Sequence, residues 1–175
     1  MDEYNLDENL VIRNYEPRDL ADCRRLWIEL TQWDRDIYDS TSIGGDNPGL
    51  FFDKHLNQVG PENIWVAEDR GRVIGLTGLI VGDDEAELEP LVVLDEFRGY
   101  GVGRKLAETV IEQARNSGVH QLKVRPVGRN EAAIRFLHEL GFNVIGHIEL
   151  FQELKPKEEQ IWQEKEKIAG RNFKV

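Results

Sequence analysis

Apolar positions along this chain change period several times, and each change marks an element. "LVIRNY" (10–15) reads as a short strand that Pro17 ends. "RDLADCRRLWIELTQW" (18–33) places Leu20, Cys23, Leu26, Trp27 and Leu30 at helical spacing, with Asp19 as N-cap. "SIGGDNPG" (42–49) is a loop, and "LFFDKHLNQV" (50–59) a short amphipathic helix carrying Phe51, Phe52, His55, Leu56 and Val59. His55 is read as a histidine on that helix's surface. "NIWVAED" and "RVIGLTGLIVG" flank Asp69-Arg70-Gly71-Arg72, which predicts a β-hairpin with Gly71 at positive φ. "EAELEPLVVL" (85–94) alternates acidic and apolar residues and then turns wholly apolar, as a central strand does.

The clearest helix is "VGRKLAETVIEQARNSG" (102–118), on which Val102, Leu106, Val110 and Ala114 form one line and Gly118 closes the end. "HQLKVRPV" (120–127) predicts a further strand. "NEAAIRFLHELGF" (130–142) predicts a helix with Asn130 as N-cap and a Schellman ending at Gly141-Phe142. "NVIGHIELFQEL" (143–154) predicts one bent strand or two short ones. After Pro156 the charged tail predicts a helix, with Ile161, Trp162, Ile168 and Ala169 in a narrow apolar stripe. That stripe would dock on the domain or on a second subunit, making a homodimer. The order is that of one mixed α/β domain over 1–154, with a right-handed β-α-β crossover from 85 to 127. Residues 155–175 are expected to be an appended helical extension.

Composition narrows the class. The 175 residues are 40% apolar, a globular composition with length enough for a core. The formal net charge is −11, which argues against nucleic acid as a partner; it would draw in a cationic substrate such as an amine, but acidity serving solubility alone is the preferred reading. There is no apolar run of about 18 residues, so no membrane helix is expected. The N-terminus "MDEYNLDENL" is unlike a signal peptide, so a cytoplasmic location is expected. The single cysteine, Cys23, excludes an internal disulfide and a cysteine zinc site, and no metal is called for. Cys23 falls on an apolar stripe, as a small core residue would.

The candidate chemistry lies in "FRGYGVGRKLAETV" (97–110), where Gly99, Gly101 and Gly103 stand between Arg98 and Arg104. A dinucleotide G-x-G-x-x-G fails, because the sixth position from Gly99 is Arg104. A P-loop fails at the same residue, and no Lys-Ser or Lys-Thr pair follows. What remains is a strand, then R-G-x-G-x-G, then a helix. The helix's first N–H groups have no intrahelical partner and point back into the loop with the positive end of the dipole. Glycine lets the backbone approach a phosphate closely. The stretch therefore reads as a pyrophosphate cradle.

These residues resemble motif A of the GCN5-related N-acetyltransferase (GNAT) family, Q/R-x-x-G-x-G/A after a central strand. Arg98 stands at the Q/R position, Gly101 at the middle glycine and Gly103 at the G/A position. "NEAAIRFLHELGF" is similar to the family's next helix. The resemblance covers about 10–154 and is most specific over 87–142. It implies a fold that binds acetyl-CoA as co-substrate. Leu91, Val92 and Val93 would offer backbone groups to the pantetheine arm and thioester. Gly99, Tyr100, Gly101, Val102, Gly103 and Arg104 would hold the pyrophosphate, and Asn130 would touch the cofactor or order the site. It also implies that the two central parallel strands splay. Pro90 and Pro126, neither able to donate to a ladder, independently predict the same interruption.

Acetyl transfer to a primary amine, on a small molecule or a peptide, needs a polarised thioester carbonyl and a base. A backbone N–H near Val93 would supply the first. Glu87 and Glu89, which alternation puts on one face, are the candidates for the second. Two family positions are absent: the usual tyrosine acid falls on Leu137, next to His138, and a glutamate used elsewhere in the family falls on Lys123. Water or Tyr100 would then protonate the thiolate, or no acid is needed. Trp33, Asp34, Asp36, Tyr38 and Asp46 form either an acidic, aromatic-edged mouth or ordinary solvated loop charge, the latter being preferred. The alternative to an enzyme is a non-catalytic acyl-CoA-binding module.

Overall fold

The computed structural model describes residues 9–155, 162 and 164–174. Its contacts divide the chain into two compact units, one running up to Thr31 and resuming over Gly44–Val124, the other comprising Gln32–Ile43 and the chain from Arg125 on.

The first unit is built on a five-stranded sheet. β1 (Leu10–Asn14), β2 (Ile64–Asp69), β3 (Arg72–Val81), β4 (Glu85–Val93) and β5 (Gln121–Lys123) lie in that spatial order. The first four pair with one another antiparallel, and β5 runs parallel to β4. The β2–β3 hairpin turns at Arg70 and Gly71, both at positive φ, as its sequence predicts. Two helices cover opposite faces of β3. α2 (Leu50–Val59) lies over Gly78, whose missing Cβ would meet His55. α3 (Val102–Ser117) lies over Gly75, whose missing Cβ would meet Leu106. Leu106, Ala107 and Val110 are fully buried, so the line of apolar residues on α3 is its core face.

α1 (Leu20–Tyr38) extends beyond its expected end at residue 33. Within the first unit it packs on α2 through Trp27 and Phe52, with ring centres 6.1 Å apart, and through an Arg24–Asp53 ion pair at 2.6 Å. Phe52 is fully buried and also meets Tyr15; its truncation to alanine would cost about 3–5 kcal/mol. A 3₁₀ turn at Pro17–Asp19 leads into α1. Asp19 is not the simple cap its position predicts. Its carboxylate turns back to accept the Glu16 N–H at 2.8 Å and both Nη atoms of Arg13 at 2.7 and 2.8 Å.

In the second unit, α4 (Glu131–Glu139) starts and stops as its sequence predicts. The Asn130 side chain accepts the Ala133 N–H at 3.0 Å. At the other end the Phe142 N–H bonds the Leu137 carbonyl and the Gly141 N–H bonds that of His138, a Schellman ending. Arg129 donates to the Ile37 carbonyl at the end of α1 and lies over the Tyr38 ring.

Three expectations are corrected. The strand expected over 120–127 is only Gln121–Lys123, because its partner ladder on β4 ends there. Residues 143–154 form no strand: they have no ladder partner among the described residues, and a lone strand cannot satisfy its own backbone. Val144, Ile145 and Leu154 are more than 80% exposed as a result. The appended C-terminal helix is instead a hairpin where the structure describes it. β6 (Glu164–Ile168) and β7 (Arg171–Lys174) pair across Ala169 and Gly170, both at positive φ. That two-residue turn overrides the helix propensity of the Glu/Lys-rich segment. The part of the expected helix at 156–161 lies outside the described residues.

Candidate active site

The site is assembled where β4 passes into α3, inside the first unit. β4 and β5 pair at Glu85–Gln121, Ala86–Leu122 and Glu87–Lys123 and no further. Leu88–Val93 continues beside β3 without a strand on its other edge among the described residues. This is the interruption that Pro90 and Pro126 predict.

A one-residue bulge decides which backbone groups reach that open edge. Leu88 lies opposite Leu79 and Leu91 opposite Thr77, so Glu89 and Pro90 together oppose Gly78. Before the bulge the odd-numbered residues of β4 bond β3, as the Gly82 N–H to Glu85 carbonyl bond shows. After it the even-numbered ones do, as the Leu94 N–H to Ile74 carbonyl bond shows. Groups on successive residues point to opposite edges. The N–H groups of Leu91 and Val93 are therefore turned to the open edge, whereas an unbulged strand would direct them into β3. Val92, between them, bonds inward.

The loop that follows leads straight to a helix N-terminus. A 3₁₀ turn at Asp95–Phe97 precedes Arg98, and Gly99 (φ 80°) and Gly101 (φ 83°) take left-handed conformations that only glycine adopts readily. The first bond of α3 runs from the Lys105 N–H to the Gly101 carbonyl, so the N–H groups of Val102, Gly103 and Arg104 precede its ladder. The first turn contains no acidic residue. A Cβ at Gly99 or Gly101 would meet no atom within 4 Å, so the concavity is open. Its chemistry fits an anion approaching backbone N–H groups at a helix N-terminus. Arg98 is differently engaged from the charge expected of it. Its Nε donates to the Val93 carbonyl at 3.0 Å and its Nη1 meets Asp95 at 2.7 Å, so the guanidinium ties the loop to the end of β4. Tyr100 is exposed.

The two carboxylates expected on one face differ in environment. Glu87 is buried, opposite Ile80 on β3 and Lys123 on β5. Glu89 is exposed and sits in the bulge. Lys123 is paired with Glu85. Leu137 is buried and His138 exposed, so the histidine does not take over the position beside it.

His55 is corrected from a surface residue to a core one, only 6% exposed. It lies on the buried stripe Phe52–His55–Val59 of α2, with its ring 5.3 Å from that of Trp27. Burial pushes its pKa down, and the Glu89 carbonyl offsets part of this. The spacing of Phe52 and Val59 was the signal for it. Cys23 is fully buried and burial pushes its thiol up, as for an inert core cysteine. No cluster of His, Cys, Asp and Glu able to hold a metal occurs among the described residues. No helix among them is long and apolar enough to cross a membrane.

The family model of the acetyltransferase (GNAT) family matches residues 22–142. The chain belongs to that family. Among its relatives is an uncharacterised N-acetyltransferase of Methanocaldococcus jannaschii, 27% identical over 150 residues, covering 81% of this chain and 64% of that protein. Another is the ribosomal protein bS18-alanine N-acetyltransferase of Salmonella typhimurium, 35% identical over 77 residues, covering 44% of this chain and 51% of that protein. This GNAT chain thus spans less than two thirds of the length of these relatives. Its fold is similar to that of Ard1 from Thermoplasma volcanium (TM-score 0.62, 23% identity, 79% of this chain and 85% of that one). It is also similar to a Salmonella typhimurium protein, yncA, solved with its cofactor acetyl-CoA (TM-score 0.59, 26% identity, 79% and 82%).

Proposed function

We propose that this GNAT chain transfers the acetyl group of acetyl-CoA to a primary amine by direct attack in a ternary complex. The observation that carries the reading is the end of the β4–β5 ladder at Glu87–Lys123, with the Leu91 and Val93 N–H groups turned outward beyond it. An extended chain bearing amides can bond that edge as a strand would. The edge leads into the open helix N-terminus at Gly99–Arg104, which suits the pyrophosphate. Arg98 acts there by bracing the loop rather than by touching phosphate.

The Val93 N–H is the donor for the thioester oxygen as it gains charge. A lysine-like amine has a pKa of about 10.4 and must lose a proton before it attacks. Glu87 or Glu89 accepts that proton, directly or through water. The nitrogen then forms a bond to the acetyl carbon, the carbon–sulfur bond breaks and the nitrogen gives up its second proton to water, while CoA leaves as thiolate, protonated by water or Tyr100. Asn130 as a cofactor contact rests on the family resemblance, beside its role as N-cap. The relatives named N-acetyltransferases and the one solved with acetyl-CoA support the donor and the reaction type.

Thiol release from acetyl-CoA across a panel of small amines and N-terminal peptides tests the proposal. Release above the no-amine background with at least one acceptor supports it. Tight acetyl-CoA binding with no release from any amine would favour a non-catalytic acyl-CoA-binding module, a reading that Leu137 at the usual tyrosine position keeps in play.

A further inference from the structure

The bulge that turns the Leu91 and Val93 N–H groups outward is met on one sheet face by a polar side chain of α2. His55 and the Glu89 carbonyl flank one spot beside Gly78. A Cβ placed there would lie 2.8 Å from His55 Nε2 and 2.6 Å from the Glu89 oxygen. Any residue but glycine at 78 would push the two atoms away. The imidazole is buried against Trp27, and its Nε2 has no other polar partner among the described residues; it faces the carbonyl without reaching full hydrogen-bond geometry. A buried imidazole beside a backbone carbonyl lowers the cost of burying both.

We propose that His55 is a positioning residue. Through the Glu89 carbonyl it pins the β4 bulge, with Gly78 providing the room, and so aims the Leu91 and Val93 N–H groups at the open edge. This inference rests on the acetyl-transfer reading for its catalytic consequence, but not for the placement of the amides. Replacing the imidazole with an apolar side chain of similar volume should loosen the bulge and misdirect the donors. The helix N-terminus at Gly99–Arg104 is not touched.

The test uses His55→Leu, His55→Gln and Gly78→Ala in the free protein and in turnover. In amide spectra of the free protein, His55→Leu is expected to shift Leu91 and Val93 and to leave Gly99, Gly101 and Gly103 in place. His55→Gln, which keeps an N–H donor, should return them toward the wild-type positions. In turnover, His55→Leu should lower kcat about 10-fold or more with KM for acetyl-CoA within about twofold, and His55→Gln should recover much of that loss. Gly78→Ala, which crowds the same contact from β3, should reproduce the amide shifts if His55→Leu fails to fold. Leu91 and Val93 amides unmoved in whichever of these variants folds would overturn the proposal, as would equal losses in His55→Leu and His55→Gln. A wild type that releases no thiol would count against acetyl transfer alone, since the amide shifts still decide the role of His55.

Discussion

Glu87 and Lys123 are the last paired residues between β4 and β5. Past them, among the described residues, β4 runs on beside β3 alone, and the bulge at Glu89–Pro90 reverses which of its N–H groups face outward. A strand register thus determines a chemical property: the two donors at the open edge belong to Leu91 and Val93, and neither to Val92.

This alternation is measurable by amide hydrogen exchange. The Val92 amide, bonded into β3, should be protected to near the global stability, whereas Leu91 and Val93 should exchange at least about 10-fold faster in the free protein. Saturating acetyl-CoA should slow Leu91 and Val93 selectively. Equal protection at Val92 and Val93 without ligand would mean that the edge is not open.

The two carboxylates should separate in kinetics. Of Glu87→Gln and Glu89→Gln, the one that removes the proton acceptor is expected to lower kcat about 100-fold and to abolish the acidic limb of the pH–rate profile. The other should stay within about threefold. If both variants keep wild-type rates and profiles, neither glutamate is the base.

Acid stability should depend on Asp19. Burial alone would raise its carboxyl, but hydrogen bonds from Arg13 and the Glu16 N–H outweigh burial and hold it below the usual carboxylate range. A carboxyl depressed in the fold adds stability that is fully present above its unfolded pKa of about 3.9 and is lost as pH falls through the folded value. Urea unfolding of Asp19→Asn should therefore show a loss of about 2 kcal/mol at pH 7 that shrinks below about pH 4. A loss of the same size at pH 3 and pH 7 would contradict this.

Where the sequence was legible, short-range chemistry decides the structure. Asn130 caps α4, Gly141 and Phe142 end it, and Gly99 and Gly101 bend the loop, each through bonds within a few residues. The interruption of the central ladder was also legible, because Pro90 and Pro126 lack the donors it would need. The rest depends on distant partners. His55 falls on the stripe of Phe52 and Val59, and its burial follows that phase rather than its polarity. The alternating apolar residues of 143–154 look like a strand, yet a strand exists only through a neighbour, and none pairs with it among the described residues. The bulge on β4 is invisible locally: it exists because Leu88 and Leu91 find Leu79 and Thr77 across the sheet. The bonds of the Arg98 side chain to Asp95 and the Val93 carbonyl, which brace the loop, are not legible in the glycine pattern.

Calorimetric titration of acetyl-CoA into the wild type and Gly101→Glu tests the central claim most directly. The substitution places a carboxylate where an anion should sit, at the positive end of α3, and strains a left-handed position by about 1–2 kcal/mol. Wild-type protein should bind, and Gly101→Glu should lose at least about 100-fold in affinity while its circular dichroism stays that of a folded α/β protein. A folded Gly101→Glu that binds acetyl-CoA as tightly as the wild type would contradict the assignment of the site.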